Sequence, residues 1–159
     1  MTESPFGAVV YLDSMTFILA IEGVSSIAKP ARALFARLRT CPGAGVTSEL
    51  TLAEVLAGPE IPHSPAVRSN YLELIVWSNF LDLVPISRVF LCESADLRFA
   101  HRESHGRKLK LADAIHLVTA IRRNCRYFVS ADKGISPPSG IRRIEPDAKG
   151  IHEVLKALA

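Results

Sequence analysis

The sequence predicts an α/β domain with a mainly parallel central β-sheet flanked by helices, and three observations carry that reading. Short apolar runs alternate along the chain with segments of helical period. Of those runs, 8–12 ends directly in Asp13 and 127–130 is followed by Asp132, and in parallel sheets ligands bind at the carboxyl ends of strands. At 159 residues the chain suits a single domain, 1–159, with a sizeable core.

Composition narrows the classes further. A hydrophobic share of 48% beside 22% charged residues excludes a disordered or collagenous chain. The formal net charge of +3 permits an anionic partner such as nucleic acid without requiring one. Cys41, Cys92 and Cys125 are odd in number and form no CxxC pair, which argues against a disulfide framework or a zinc ribbon. Each reads as a small buried apolar residue in a reducing cytoplasm. Glu3 stands where a signal peptide would be basic, and Asp13 interrupts the first apolar run, so neither a leader nor a membrane span is expected.

Taken in order, the run 8–12 is a buried strand. Pro30, Leu34, Phe35 and Leu38 mark an amphipathic helix from Ser25 or Ser26 to about Thr40, broken by Cys41, Pro42 and Gly43. A strand at 46–48 precedes a helix over 49–57, which carries Glu54 and stops at Gly58 and Pro59. The Pro-rich piece 59–65 is too short to separate independently folding domains. A helix over 70–80 and a strand over 83–86 follow, with Pro85 marking an edge or strand end. Ser87 caps a helix through Phe99 that leads into a polar stretch, 101–107. The next helix, within 108–120, places Leu111, Ala114, Ile115 and Val118 on one core-facing side and Asp113 in its first turns. A strand at 127–130, a turn at 137–140, a strand at 141–144 and a helix at 147–158 complete the chain.

Four acids stand out. Asp113 sits among apolar residues where helix-end N–H groups favour a carboxylate, although a first-turn Asp commonly does no more than stabilise its helix. Glu54 taken alone is an ordinary solvent-facing residue, and Asp132 before Lys133 and Gly134 is equally a turn former. Were these three to converge with Asp13, they could not all stay ionised without a cation. An all-oxygen set of that kind suits Mg²⁺ or Mn²⁺ better than zinc.

The segments YLDSMTFILAIEG, TSELTLAEVLAG, KLKLADAIHLVTA and YFVSADKGI, in that order and spacing, resemble the PIN-domain ribonucleases, and within them a VapC-type toxin. The resemblance runs from Val9 to the end of the chain and implies a PIN-like three-layer domain. It implies that Asp13, Glu54, Asp113 and Asp132 form an acidic catalytic site binding one or two Mg²⁺ or Mn²⁺ ions for hydrolysis of RNA phosphodiesters. Asp13 and Asp113 would be direct ligands, Glu54 and Asp132 would hold ions or water, and Ser130 would orient Asp132. It also implies a homodimer inhibited by a small antitoxin protein. One departure is Met15: members usually carry Asn or another polar residue two positions after the first Asp, and Met supplies no such hydrogen bond.

Arg98, Arg102, Arg107, Lys108 and Lys110 cluster ahead of the Asp113 helix with Glu103 as the one acid among them, and are the candidate RNA-phosphate contacts. A solvated charged face is the competing reading. His101 and His105 lack a third ligand for zinc and read as surface or phosphate contacts. His116 reads as a packed, hydrogen-bonded histidine, and Tyr71 and Trp77 as core or subunit interface. Two other functions stay open beside the toxin nuclease: a PIN-fold binding module that has lost catalysis, for which Met15 argues, and a nuclease for RNA processing.

Overall fold

The computed structural model describes residues 8–159, so the reading that rests on Glu3 lies outside the described residues. Five parallel strands form one sheet in the order β3-β2-β1-β4-β5: β1 Val10–Leu12, β2 Gly45–Ser48, β3 Leu81–Val84, β4 Tyr127–Val129 and β5 Arg142–Ile144. The three central strands, β1, β2 and β4, are buried throughout between two layers, while the edge strands β3 and β5 are partly exposed. Around them lie α1 Ser14–Glu22, α2 Ser25–Arg39, α3 Leu50–Leu56, α4 Pro65–Leu72, α5 Arg88–His105, α6 Leu111–Arg122 and α7 Ala148–Ala157.

Strand alternation divides the core into two. Val10 and Leu12 face a cluster with Phe17, Leu34, Phe35 and Leu38, the face covered by α1, α2 and α7. Tyr11 faces the other way, into a cluster with Phe128, Ala114 and Leu117 under α6. α5 packs on α6 in that second layer. This three-layer arrangement is the expected α/β class. No helix among the described residues is long and apolar enough to cross a membrane.

Several elements differ from the sequence reading. The helix expected over 70–80 begins at Pro65, where the Ser64 hydroxyl accepts from Val67 N, and passes into a π-helical turn, Glu73–Trp77. α5 runs through the polar stretch to His105 and ends on Gly106, whose φ of 67° is the left-handed cap that glycine allows. His101 makes this possible: it is buried, its Nδ1 lies 3.0 Å from the Arg107 carbonyl, and its ring stacks on His105. It is therefore packing rather than surface. Leu111, expected in the core, is 49% exposed because it occupies the first position of α6, beyond the layer that buries Ala114 to Ala120. Trp77 is exposed while Tyr71 is buried, and Cys92, unlike Cys41 and Cys125, lies at the surface.

Candidate functional site

β1 and β4 are neighbours, with Leu12 opposite Val129, so the chain leaves both strands at the same carboxyl edge. Asp13 follows at once. It caps α1, accepting at Oδ1 from Thr16 N at 3.3 Å and from Thr16 Oγ1 at 3.2 Å, and is 8% exposed. Burial pushes its carboxyl above the usual range, against the pull of Ser130, His116 and Thr16.

Glu54 reaches the same edge from α3. The start of α3 is tied down by Thr47, whose hydroxyl donates to Leu12 O at 2.8 Å and pairs with Thr51 Oγ1 at 2.8 Å. Glu54 Oε2 accepts from Ser14 Oγ at 2.7 Å and lies 2.7 Å from His116 Nε2. Burial pushes its pKa up, but the His116 hydrogen bond and charge, together with Ser14, outweigh it and hold the carboxyl below its usual value. Glu54 is thus tied into the site rather than solvent-facing.

Asp113 lies in the first turn of α6 and is half-buried. Burial raises its pKa, and the charges of Asp132 and Glu54 raise it further against His116 and Lys110. Asp132 is exposed in the turn after β4, where its Oδ1 accepts from Gly134 N at 2.8 Å. Ser130 differs from expectation: its Oγ accepts from the backbone N of Asp132 at 3.1 Å, and its hydroxyl acts on the Asp13 carboxyl.

Of the four predicted acids, Asp113 feels the charges of Asp132 and Glu54, and Glu54 is tied to Ser14, the residue next to Asp13. Among the described residues no three His, Cys, Asp or Glu groups lie close enough together to hold a metal ion unaided. The donors still suit a hard divalent ion. All are oxygens, their mutual repulsion is unrelieved at Asp113, and Mg²⁺ characteristically keeps several waters and takes only one or two carboxylates. A cavity of ≈ 580 Å³ lined by Arg32, Arg39, Glu73 and Trp77 lies elsewhere and contains none of the four, so it is not the centre of this chemistry.

Of the basic residues, Arg102, Lys108 and Lys110 are exposed or lie at the loop ahead of α6, with Lys110 directly before its first turn. Arg98 spends Nε on the Leu109 carbonyl at 2.8 Å, and Arg107 reaches Gly134 O at 3.1 Å, tying that loop to the Asp132 turn. Met15 is 42% exposed, beside Asp13. Sequence reasoning missed Ser14 and the partnership of Tyr11 with His116, whose Tyr Oη to Nδ1 distance is 2.5 Å. The available signal was local for one of them: His116 stands one helical turn after Asp113 and so shares its face.

Residues 10–137 match the PIN domain family. The chain belongs to the PIN domain family. All four acids of this PIN domain lie within the matched stretch, while β5, which completes the sheet edge, and α7, which packs on α2, lie beyond it. No curated protein matches the chain by sequence. Among solved structures the PIN domain is similar to Mycobacterium tuberculosis VapC20, a Sarcin-Ricin loop cleaving toxin, at 13% identity and TM-score 0.63 over 79% of this chain and 91% of that one. It is similar to VapBC2 from Rickettsia felis bound to a DNA fragment from their promoter, at 17% identity and TM-score 0.63 over 86% and 98%. It is also similar to FitAcB from Neisseria gonorrhoeae, at 16% identity and TM-score 0.62 over 87% and 98%. At such identities the likeness shows a shared fold.

Proposed function

We propose that this PIN domain, one domain over 1–159, is a Mg²⁺- or Mn²⁺-dependent endoribonuclease and the toxin component of a toxin–antitoxin pair in the cytoplasm. The observation that carries the reading is the acidic edge itself. Asp13 and Asp132 follow neighbouring strands at one edge, and Glu54 is hydrogen-bonded to Ser14 beside Asp13. Asp113, its pKa raised by burial and then by the charges of Asp132 and Glu54, carries repulsion that a cation would relieve. In this reading Asp13 and Asp113 are the direct metal ligands, and Glu54 and Asp132 hold ions or water. A bound ion supplies an activated water and neutralises charge that builds on the phosphate.

The chain's own groups do the rest. Thr16 fixes Asp13, and Ser14 with His116 fixes Glu54, so the two acids at the inner side are set before any ligand arrives. Asp113 and Asp132 line the open side, where RNA enters. Arg102, Lys108 and Lys110, with Arg98 and Arg107 behind them, contact its phosphates without reading sequence. Likeness to a loop-cleaving toxin supports RNA as substrate. Likeness to the VapBC2 and FitAcB assemblies supports a small antitoxin partner, and a homodimer belongs to the same reading.

The test is cleavage of a structured RNA pool by purified, antitoxin-free protein with Mn²⁺, Mg²⁺ or EDTA, beside Asp13→Ala. Cleavage with either ion, lost in EDTA and in the variant, is the expected result. No cleavage by folded protein under any condition would move the function to a PIN-fold binding module.

A further inference from the structure

Beneath the acidic edge runs a buried hydrogen-bonded chain that the nuclease reading does not use. Tyr11 has no exposed surface, and its ring is clamped on Phe128 at 4.9 Å between centroids and 14° between planes. Its hydroxyl meets His116 Nδ1 at 2.5 Å. On the far side of that imidazole, which is 3% exposed, Nε2 lies 2.7 Å from Glu54 Oε2. A carboxylate only accepts hydrogen bonds, so Nε2 must carry the hydrogen. Ser14 Oγ donates to the same Oε2 at 2.7 Å. Glu54 Oε2 is therefore occupied twice by the protein, while Oε1 makes no hydrogen bond among the described residues.

We propose that Tyr11 and His116 are positioning residues for Glu54, locking Oε2 so that Oε1 alone is presented to the divalent ion. The inference rests on the nuclease reading and adds two residues to it. The geometry is one-way. Phe128 and the sheet fix Tyr11, Tyr11 fixes the plane of the imidazole, and the imidazole fixes one carboxylate oxygen of Glu54. Hydrogen bonds at the back of a metal site orient ligands in this way and commonly control affinity. An apolar residue at either position would leave Glu54 free to turn both oxygens to the ion or neither.

The experiment is Mn²⁺ titration by calorimetry on the full chain, for the wild type and for Tyr11→Phe, His116→Leu and His116→Gln, with nitrogen-15 spectra of the His116 ring. Tyr11→Phe keeps the clamped ring, and His116→Gln keeps an N–H donor towards Glu54. Mn²⁺ affinity falls about 10–100-fold in His116→Leu and by a smaller factor in Tyr11→Phe, and His116→Gln recovers a share of that affinity. The spectra show hydrogen on Nε2, and the Nδ1 signal moves in Tyr11→Phe. Affinities within about twofold of a Mn²⁺-binding wild type, well inside the effect expected of such partners, or a ring without hydrogen on Nε2, overturn this inference alone. Wild-type protein that neither binds Mn²⁺ nor cleaves RNA overturns the nuclease reading and this inference with it.

Discussion

The two halves of the acidic edge are built differently. Asp13 and Glu54 sit inside a mesh of Thr16, Ser14 and His116, with Tyr11 behind it. Asp113 and Asp132 stand at the rim, and among the described residues the one hydrogen bond to either carboxylate is local, from Gly134 N to Asp132. In the inner half protein hydrogen-bond donors hold the carboxylates. In the outer half charge is left to face charge, which in the proposed reading is where an ion and a phosphate meet. A site divided this way holds its geometry without ligand and reserves its electrostatic gain for binding.

That contrast predicts different costs for losing an acid on either side. Asp113→Asn removes charge but little structure. Cleavage should fall by more than the roughly 10–100-fold typical of an outer-shell partner, with an unchanged circular dichroism spectrum. A variant that loses its fold instead would mean that Asp113 is structural. Next in size is the double change Arg102→Ala with Lys108→Ala. RNA binding should weaken for every sequence tested, and the slope of log K against log salt should shrink by about one for each phosphate no longer neutralised. An unchanged slope would take the phosphates away from this surface.

Stability separates the halves more finely. Because burial raises the Asp13 pKa in the folded state, the native chain binds that proton more tightly than the unfolded chain does. Its contribution to stability is therefore fully present below the unfolded value of about 3.9 and is lost as pH rises through the raised folded value. Asn cannot ionise yet caps helices as well as Asp. Metal-free Asp13→Asn should thus melt higher than the wild type at pH ~7 and lose that advantage on acidification. Asp13→Ala also removes the α1 cap, at about 1 kcal/mol, and should melt below Asp13→Asn at every pH. Equal melting of the two variants would show that the cap contributes nothing. The smallest effect belongs to Met15→Asn. At an exposed position its stability should move by no more than about 0.5 kcal/mol, while Mn²⁺ affinity improves a few-fold as a polar group returns beside Asp13. Unchanged affinity would remove Met15 as a reason for weakened chemistry.

The same division explains what could be read in the sequence. The central strands β1 and β4 were legible because each is an apolar run, and Asp13 was legible because it follows such a run directly, whereas Asp132, separated from β4 by two residues and followed by Lys133 and Gly134, reads equally as a turn former. Glu54 and Asp113 look like ordinary helix residues, and only the ordered set of segments singled them out. The Tyr11–His116 contact joins residues 105 apart in sequence and leaves no local trace. Leu111 misled because helical period gives a face but not where the covering layer ends. The length of α5 was hidden because its polar last turns are held by His101, buried against the Arg107 carbonyl, and by a glycine cap.

The most direct measurement is thermal unfolding of the wild type and Asp113→Asn with and without Mn²⁺. A ligand bound only to the folded state adds about 2.7 kcal/mol at a hundredfold excess over Kd. The wild type should melt several degrees higher with Mn²⁺, and metal-free Asp113→Asn should start above the metal-free wild type yet gain almost nothing from the ion. An equal Mn²⁺ shift in both proteins, or none in the wild type, would contradict the claim that these acids are held together to bind a cation.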